Sequence, residues 1–162
     1  MKITDPPPAI AIDRVAWASQ LCVGAQEVFA MMVGTKLFRC PDPQPMIVPE
    51  FTAMVGMAGA ICGVFTIRCS EYAASAIAAK MLGISIEEAS QEKWDAMGEV
   101  CNMVAGSFKS KLADGGQNCM LSVPTVITGA DYKLRSLADE ESIEVCLQFD
   151  DEPLWLSLEL HK

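Results

Sequence analysis

Residues 53–67 are the most apolar stretch of this chain, bounded by Glu50 on one side and Arg68 on the other. A helix that crosses a bilayer needs about 20 apolar residues. The stretch falls short of that, and Gly56, Gly59 and Gly63 interrupt it. Residues that suit paired strands lie on both sides of the glycines. The pattern predicts a buried β-hairpin reaching to about Cys69. A hairpin buried on that scale needs a core around it. With 162 residues, 51% of them apolar and 20% charged, the chain can supply one, and that length suits a single folded domain over 1–162. Pro6-Pro7-Pro8 leaves residues 1–10 extended or loosely ordered.

The net charge is −9. Such a chain repels phosphate backbones and anionic lipid heads, which argues against nucleic-acid and membrane-surface roles. Cysteines stand at 22, 40, 62, 69, 101, 119 and 146, an odd number with no C-x-x-C pair, and His161 is the only histidine. No zinc-ligand spacing is present, so no metal site is expected. The first residues lack an apolar signal core. The cysteines therefore read as reduced, mostly buried small hydrophobes in a cytoplasmic protein.

Asp13 is a good N-cap, and Val15, Leu21, Cys22, Val28, Phe29 and Met32 follow at helical spacing, with Gly34 as the stop. A breaker-rich loop, Pro41-Asp42-Pro43-Gln44-Pro45, leads to a short strand at 46–48 and then the hairpin. Residues 71–82 predict an Ala-rich helix ended by Gly83. Ser85 and Glu88 have the form of a capping box. A longer helix is expected over about 91–112, stopping at Gly115-Gly116. Strands are expected at 119–128, 132–137, 142–149 and 154–160, with 150–153 as a turn. The order implies an α+β domain, its helices packed on an antiparallel-rich sheet.

Residues 27–34, Glu-Val-Phe-Ala-Met-Met-Val-Gly, resemble residues 99–106, Glu-Val-Cys-Asn-Met-Val-Ala-Gly. A Val-Pro pair follows each, at 48–49 and 123–124. Chance similarity of two amphipathic helices explains one short match. A duplicated helix-plus-strands unit explains it as well. In a duplication only the second copy holds an asparagine, because Ala30 stands in the first.

On a helical wheel Asp95, Glu99, Asn102, Gly106 and Lys109 form one narrow stripe. Trp94, Met97, Val100, Cys101, Val104, Phe108 and Leu112 lie opposite. Charged stripes on amphipathic helices are ordinary solvated surface. This one includes two poor helix formers: Gly106 costs about 1 kcal/mol relative to Ala, and Asn102 roughly half that. A glycine beside Asn102 would also admit the backbone of another protein.

Asp95-x-x-x-Glu99-x-x-Asn102, with Gly106 and then Pro124, resembles the signature of the CheC/CheX phosphatase family. The segments 97–106 and 121–129 resemble CheX in particular, and the hairpin and the helix ending Met81-Leu82-Gly83 fall in the family's order. CheC-like proteins usually carry the signature twice and CheX-like ones once, so Ala30 favours CheX. The spacing to Pro124 is a residue shorter than the usual pattern. The resemblance implies a CheC-like fold of pseudo-duplicated units. It also implies hydrolysis of the aspartyl phosphate on a CheY-like response regulator, ending a signal in chemotaxis or a related two-component pathway. Glu99 would pair with the partner's active-site lysine and Asn102 would orient the attacking water, with Asp95 and Gly106 in support. The Mg²⁺ would be held by the partner, leaving this chain without a cofactor of its own.

Two other readings remain open on the sequence: a flagellar-switch-like module that docks a partner without turnover, and a scaffold whose polar stripe is solvated surface. A nucleophilic hydrolase has no evident base besides His161, and no Gly-rich loop with a lysine suggests nucleotide binding. A homodimer is also expected. The alternating segment 154–160 would expose unpaired backbone at a sheet edge, and CheX relatives pair through their sheets.

Overall fold

The computed structural model describes residues 10–42, 49–112, 116–132 and 141–161. Helix α1 spans Arg14–Val28, and its first turn is capped by Asp13, whose Oδ1 accepts the Ala16 N–H at 3.0 Å. A π-helical turn, Phe29–Val33, continues it until Gly34 stops it with φ of +71°. The turn keeps Phe29 and Val33 inward. Val15 and Met32, expected on the apolar face, point to solvent instead. The expected strand at 46–48 lies outside the described residues. A two-residue strand that the sequence reading missed, β1 (Phe38–Arg39), precedes that gap.

The apolar stretch forms the hairpin β2 (Phe51–Gly59) and β3 (Cys62–Cys69), paired from Phe51↔Cys69 to Met57↔Gly63. Two of its glycines are steric requirements. A Cβ on Gly59 would lie 2.0 Å from the Asn118 carbonyl oxygen, and one on Gly63 would lie 2.1 Å from that of Glu159. Helix α2 (Glu71–Leu82) ends at left-handed Gly83, and α3 (Ile86–Ala89) opens with the capping box of Ser85 and Glu88. Helix α4 (Lys93–Ser110) follows. Of the expected stop, Gly115 lies outside the described residues, while a Cβ on Gly116 would lie 1.8 Å from the Lys109 carbonyl oxygen.

The strand expected at 119–128 is two strands, β4 (Cys119–Leu121) and β5 (Thr125–Thr128). Both pair with β2, at its far and near ends respectively. Pro124 has no N–H to donate to a ladder. In the break, Ser122 replaces strand pairing: its N–H donates to the Gly56 carbonyl, and its Oγ accepts the Gly56 N–H, each at 2.8 Å. Of the strand expected at 132–137, Tyr132 is irregular and hydrogen-bonded to Thr52, and the rest lies outside the described residues. Strands β6 (Ser142–Phe149) and β7 (Glu152–His161) complete the sheet, so His161 is the last residue of a strand.

The sheet order is β1-β6-β7-β3-β2-β4, with β5 also on β2. It contains the expected duplication. One unit is α1 with β1, β2 and β3; the other is α4 with β4/β5, β6 and β7. Their last strands, β3 and β7, pair at the centre, and each unit's first strand crosses to the other unit. Helix α1 packs over β6 and α4 over β2, so each helix also covers the other unit. The Val-Pro echo does not survive: Pro49 leads into a second strand and Pro124 into a first, while Val48 lies outside the described residues.

One face of the sheet carries the core. Leu154, Leu156, Leu158 and Leu160 of β7 are buried under the helices, each worth about 1.5–3 kcal/mol of burial. Helices α1 and α4 touch at Gly24, where a Cβ would lie 3.2 Å from Ser107 Oγ, and Trp17 meets Phe108 edge-on with ring centres 5.7 Å apart. Strand β7 lies between β6 and β3, so its backbone is paired within the chain. The edge-strand reason for a homodimer is therefore removed.

Cys22, Cys69, Cys101 and Cys119 are buried, Cys40 and Cys146 half-buried, and Cys62 exposed. Burial pushes the Cys69 and Cys101 thiols from 9.0 up to about 12. Above pH 9 the unfolded chain releases these protons while the folded chain retains them, so stability falls as pH rises toward 12. The unfolding free energy measured by urea denaturation is expected to be lower at pH 10.5 than at pH 8. The fall should shrink in Cys101→Ala by on the order of 1–2 kcal/mol. Equal falls in both proteins would contradict the assignment to Cys101.

Candidate functional site

Helix α4 presents the site. Met97, Val100, Cys101, Val104 and Phe108 are buried against β2 and α1, which turns the opposite stripe outward. Asp95, Glu99 and Asn102 are exposed, while Gly106 and Lys109 are half-buried. The structure thus brings every expected site residue onto one side of one helix. Trp94 is a correction: it is 38% exposed rather than part of the buried side. Its ring tilts on Phe51 and lies beneath Lys93 Nζ at 4.6 Å. Lys93 is itself 6% exposed and ion-paired with Glu71 at the start of α2, a partner that only the tertiary contact between α2 and α4 supplies.

Among the described residues, neither Glu99 nor Asn102 has a side-chain hydrogen bond or ion pair within the chain. Asp95 lies in the first turn of α4, where a carboxylate complements the helix dipole, and Glu92 ahead of it provides no side-chain cap. That gives Asp95 a structural role. Glu99 has none of this kind. It stands one turn after Asp95, and like charges at that spacing cost about 0.2–0.5 kcal/mol. The stripe therefore holds two like charges, an asparagine and a glycine where better helix formers would be more stable. Glu99 and Asn102 are three residues apart, which places their Cβ atoms about 5–6 Å apart and lets both enter one pocket of a partner.

The two glycines flanking Asn102 differ in role. Pro124 packs on Gly98, where a Cβ would meet its Cγ at 3.5 Å and Val126 Cγ2 at 3.7 Å. At Gly106 the nearest neighbour of a Cβ is Leu121 Cδ1 at 4.0 Å. Among the described residues, nothing therefore requires a glycine at 106.

The first copy of the motif is a different surface. Glu27, which corresponds to Glu99, is held by Lys111 at 2.6 Å. Ala30 is exposed where Asn102 would stand, and Gly34 ends its helix while Gly106 lies within one. Lys111 could not be foreseen as Glu27's partner, because the two meet only through the packing of α1 on α4.

Among the described residues, no three His, Cys, Asp or Glu side chains gather as a metal ion would need. No helix among them is long and apolar enough to cross a membrane.

Comparison with known proteins places this geometry. The chain is 32% identical over 88 residues to the CheY-P phosphatase CheX of Thermotoga maritima, covering 54% of this chain and 57% of that relative. A chemotaxis protein CheX from Desulfovibrio desulfuricans superposes with a TM-score of 0.76 at 20% identity, over 90% of this chain and 99% of that one. A CheX from Borrelia burgdorferi, solved in a complex with CheY, BeF3 and Mg²⁺, superposes with a TM-score of 0.74 at 20% identity, over 94% and 100%. At these identities the superpositions establish the shared fold. The family model described as chemotaxis phosphatase CheX matches residues 51–148, which include the hairpin, all of α4 and the Ser122–Pro124 break. By that match, over more than half its length, the chain belongs to the CheX family.

Proposed function

We propose that this protein hydrolyses the aspartyl phosphate of a CheY-like response regulator, ending its signal in chemotaxis or a related two-component pathway. The observation that carries the reading is the pairing of Glu99 and Asn102 on α4, both exposed and, among the described residues, without a hydrogen-bond or ion-pair partner in the chain. Hydrolysis of an acyl phosphate needs a water in line behind the phosphorus. The Asn102 amide can donate and accept at once, so it holds that water without taking its proton. Glu99 pairs with a lysine of the partner and sets the docking register. The partner holds the Mg²⁺ that neutralises the phosphoryl oxygens, and this chain contributes no cofactor. The reaction belongs to the cytoplasm, where response regulators work.

The test is to phosphorylate CheY-like receiver domains from the same genome and follow phosphate release with and without this protein. Accelerated release supports the reading; tight binding without acceleration supports a docking module in its place. Glu99→Ala is expected to weaken binding to the phosphorylated domain, with the difference from the unmodified protein shrinking as salt rises. Unchanged affinity, measured by titration calorimetry at two salt concentrations, would make Glu99 ordinary surface.

A further inference from the structure

Strand β1 ends the sheet order and pairs with β6 at Phe38↔Gln148 and Arg39↔Leu147. One step further, the same ladder sets Cys40 opposite Cys146, and the Cys40 N–H donates to the Cys146 carbonyl at 3.2 Å. Val145 and Leu147 are buried on the side that α1 covers, so Cys146 between them points to the other face of the sheet. Arg39 reaches back toward α1, where its Nε donates to Cys22 Sγ at 3.3 Å. Cys40 after it therefore faces the same way as Cys146.

The two thiols thus stand side by side. A disulfide spans Cα atoms about 4.4–6.8 Å apart, and directly opposed residues of antiparallel strands are about 4.5–5.5 Å apart. Their Cβ atoms, also about 4.5–5.5 Å apart in such a pair, must close by roughly 1 Å to reach disulfide distance. Strand β1 is two residues long and held in the sheet by one neighbour, so it yields that far. The thiols already sense each other. Burial pushes the Cys146 thiol from 9.0 up to about 12, and the Cys40 thiol hydrogen-bonded beside it pushes in the same direction. Both thiols are free and half-buried, so a small oxidant reaches them. Among the described residues, no other two cysteines stand opposite each other across a strand pair.

We infer that Cys40 and Cys146 form a reversible disulfide that latches β1 to β6 when the protein meets a small-molecule disulfide such as oxidised glutathione. The Cys40 thiolate attacks one sulfur of the oxidant, which forms a mixed disulfide and releases one reduced thiol. Cys146 then gives its proton to solvent, and its sulfur attacks Cys40 Sγ and releases the second. Two protein thiols are oxidised and one disulfide is reduced to two thiols, so atoms and electrons balance. Transient disulfides of this kind serve as redox sensors in reducing compartments. The inference is independent of the function proposed above, because neither cysteine lies on α4.

The experiment equilibrates the full chain and its Cys62→Ser variant, which lacks the exposed thiol, with glutathione at graded ratios of oxidised to reduced. Thiols are then trapped by alkylation and the peptides mapped without reduction. A peptide joining Cys40 to Cys146 is expected, and Cys62→Ser should lose two free thiols with no bound glutathione. Trp155 stands opposite Cys146 on β7. Disulfides quench indole emission, so tryptophan emission should fall on oxidation and recover with dithiothreitol. The closed loop constrains the unfolded chain, so the thermal transition should rise on oxidation. In Cys146→Ser, Cys40 should stop at the glutathione adduct and the transition should not rise. Unchanged thiols at every ratio would overturn the latch. So would an adduct on Cys40 that goes no further in the unmodified protein, or a disulfide that joins other cysteines or two chains.

Discussion

Asn102→Ala is expected to lower catalysed phosphate release by about 10²-fold or more, the scale of a lost positioning contribution. Affinity for the phosphorylated partner should change far less, because Glu99, proposed to pair with the partner's lysine, is left in place. The structure makes this variant informative. The Asn102 side chain is exposed and, among the described residues, has no hydrogen-bond partner within the chain, so its removal breaks no such bond. Alanine is also the better helix former by roughly half a kcal/mol, so the thermal transition should hold or rise slightly. A loss of turnover at full stability would locate the defect in the chemistry. Stopped-flow measurement of phosphate release at saturating partner checks it. Turnover within threefold of the unmodified protein would remove Asn102 from the mechanism.

Gly63→Ala carries the largest expected effect on folding. Gly63 lies opposite Leu160 in the pairing of β3 with β7, the joint between the two units. Its added Cβ would lie 2.1 Å from the Glu159 carbonyl oxygen and 3.1 Å from the carbonyl carbon. The obstacle is backbone, so no side-chain rotation relieves it. The strands must separate or the end of β3 must detach, and a cost of about 3 kcal/mol follows from overpacking on this scale. Urea denaturation of the two proteins measures it. A variant within 1 kcal/mol of the unmodified protein would mean that the ends of β3 and β7 yield easily. Gly106→Ala is the contrast, since its Cβ meets only ordinary contact with Leu121.

Much of the architecture was legible in the residue order because the signals are local. A capping side chain, a glycine in left-handed conformation and a four-residue hydrophobic period act within a few residues of where they stand. Asp13, Ser85 with Glu88, Gly34 and Gly83 therefore mark element ends correctly. The polar stripe of α4 was legible for the same reason: helical periodicity alone places Asp95, Glu99 and Asn102 on one side. Its chemical meaning was not a matter of periodicity. It came from the likeness of 95–106 to the signature of a family, and residues 51–148 match that family's model.

Partnerships between distant segments were decided by the tertiary structure. The alternation of 154–160 specifies a strand with one apolar face, but it carries no information about how many neighbours that strand has. Only the crossing of the two units puts β7 between β6 and β3. The stretch 119–128 looked continuous because its composition suits a strand throughout. It breaks where Pro124 must lie on Gly98 and Ser122 must take over the bonds of Gly56. Glu27 and Glu99 stand in matching sequence, yet one is held by Lys111 and the other faces solvent: Trp17, Gly24 and Glu27 of α1 meet α4 at Ser107 and Phe108 and the Lys111 after it, past Glu99. Local rules act over one or two turns of chain. Strand order, the pairing of Glu27 and the setting of Pro124 on Gly98 depend on contacts between residues far apart in sequence, and the packed fold alone creates those contacts.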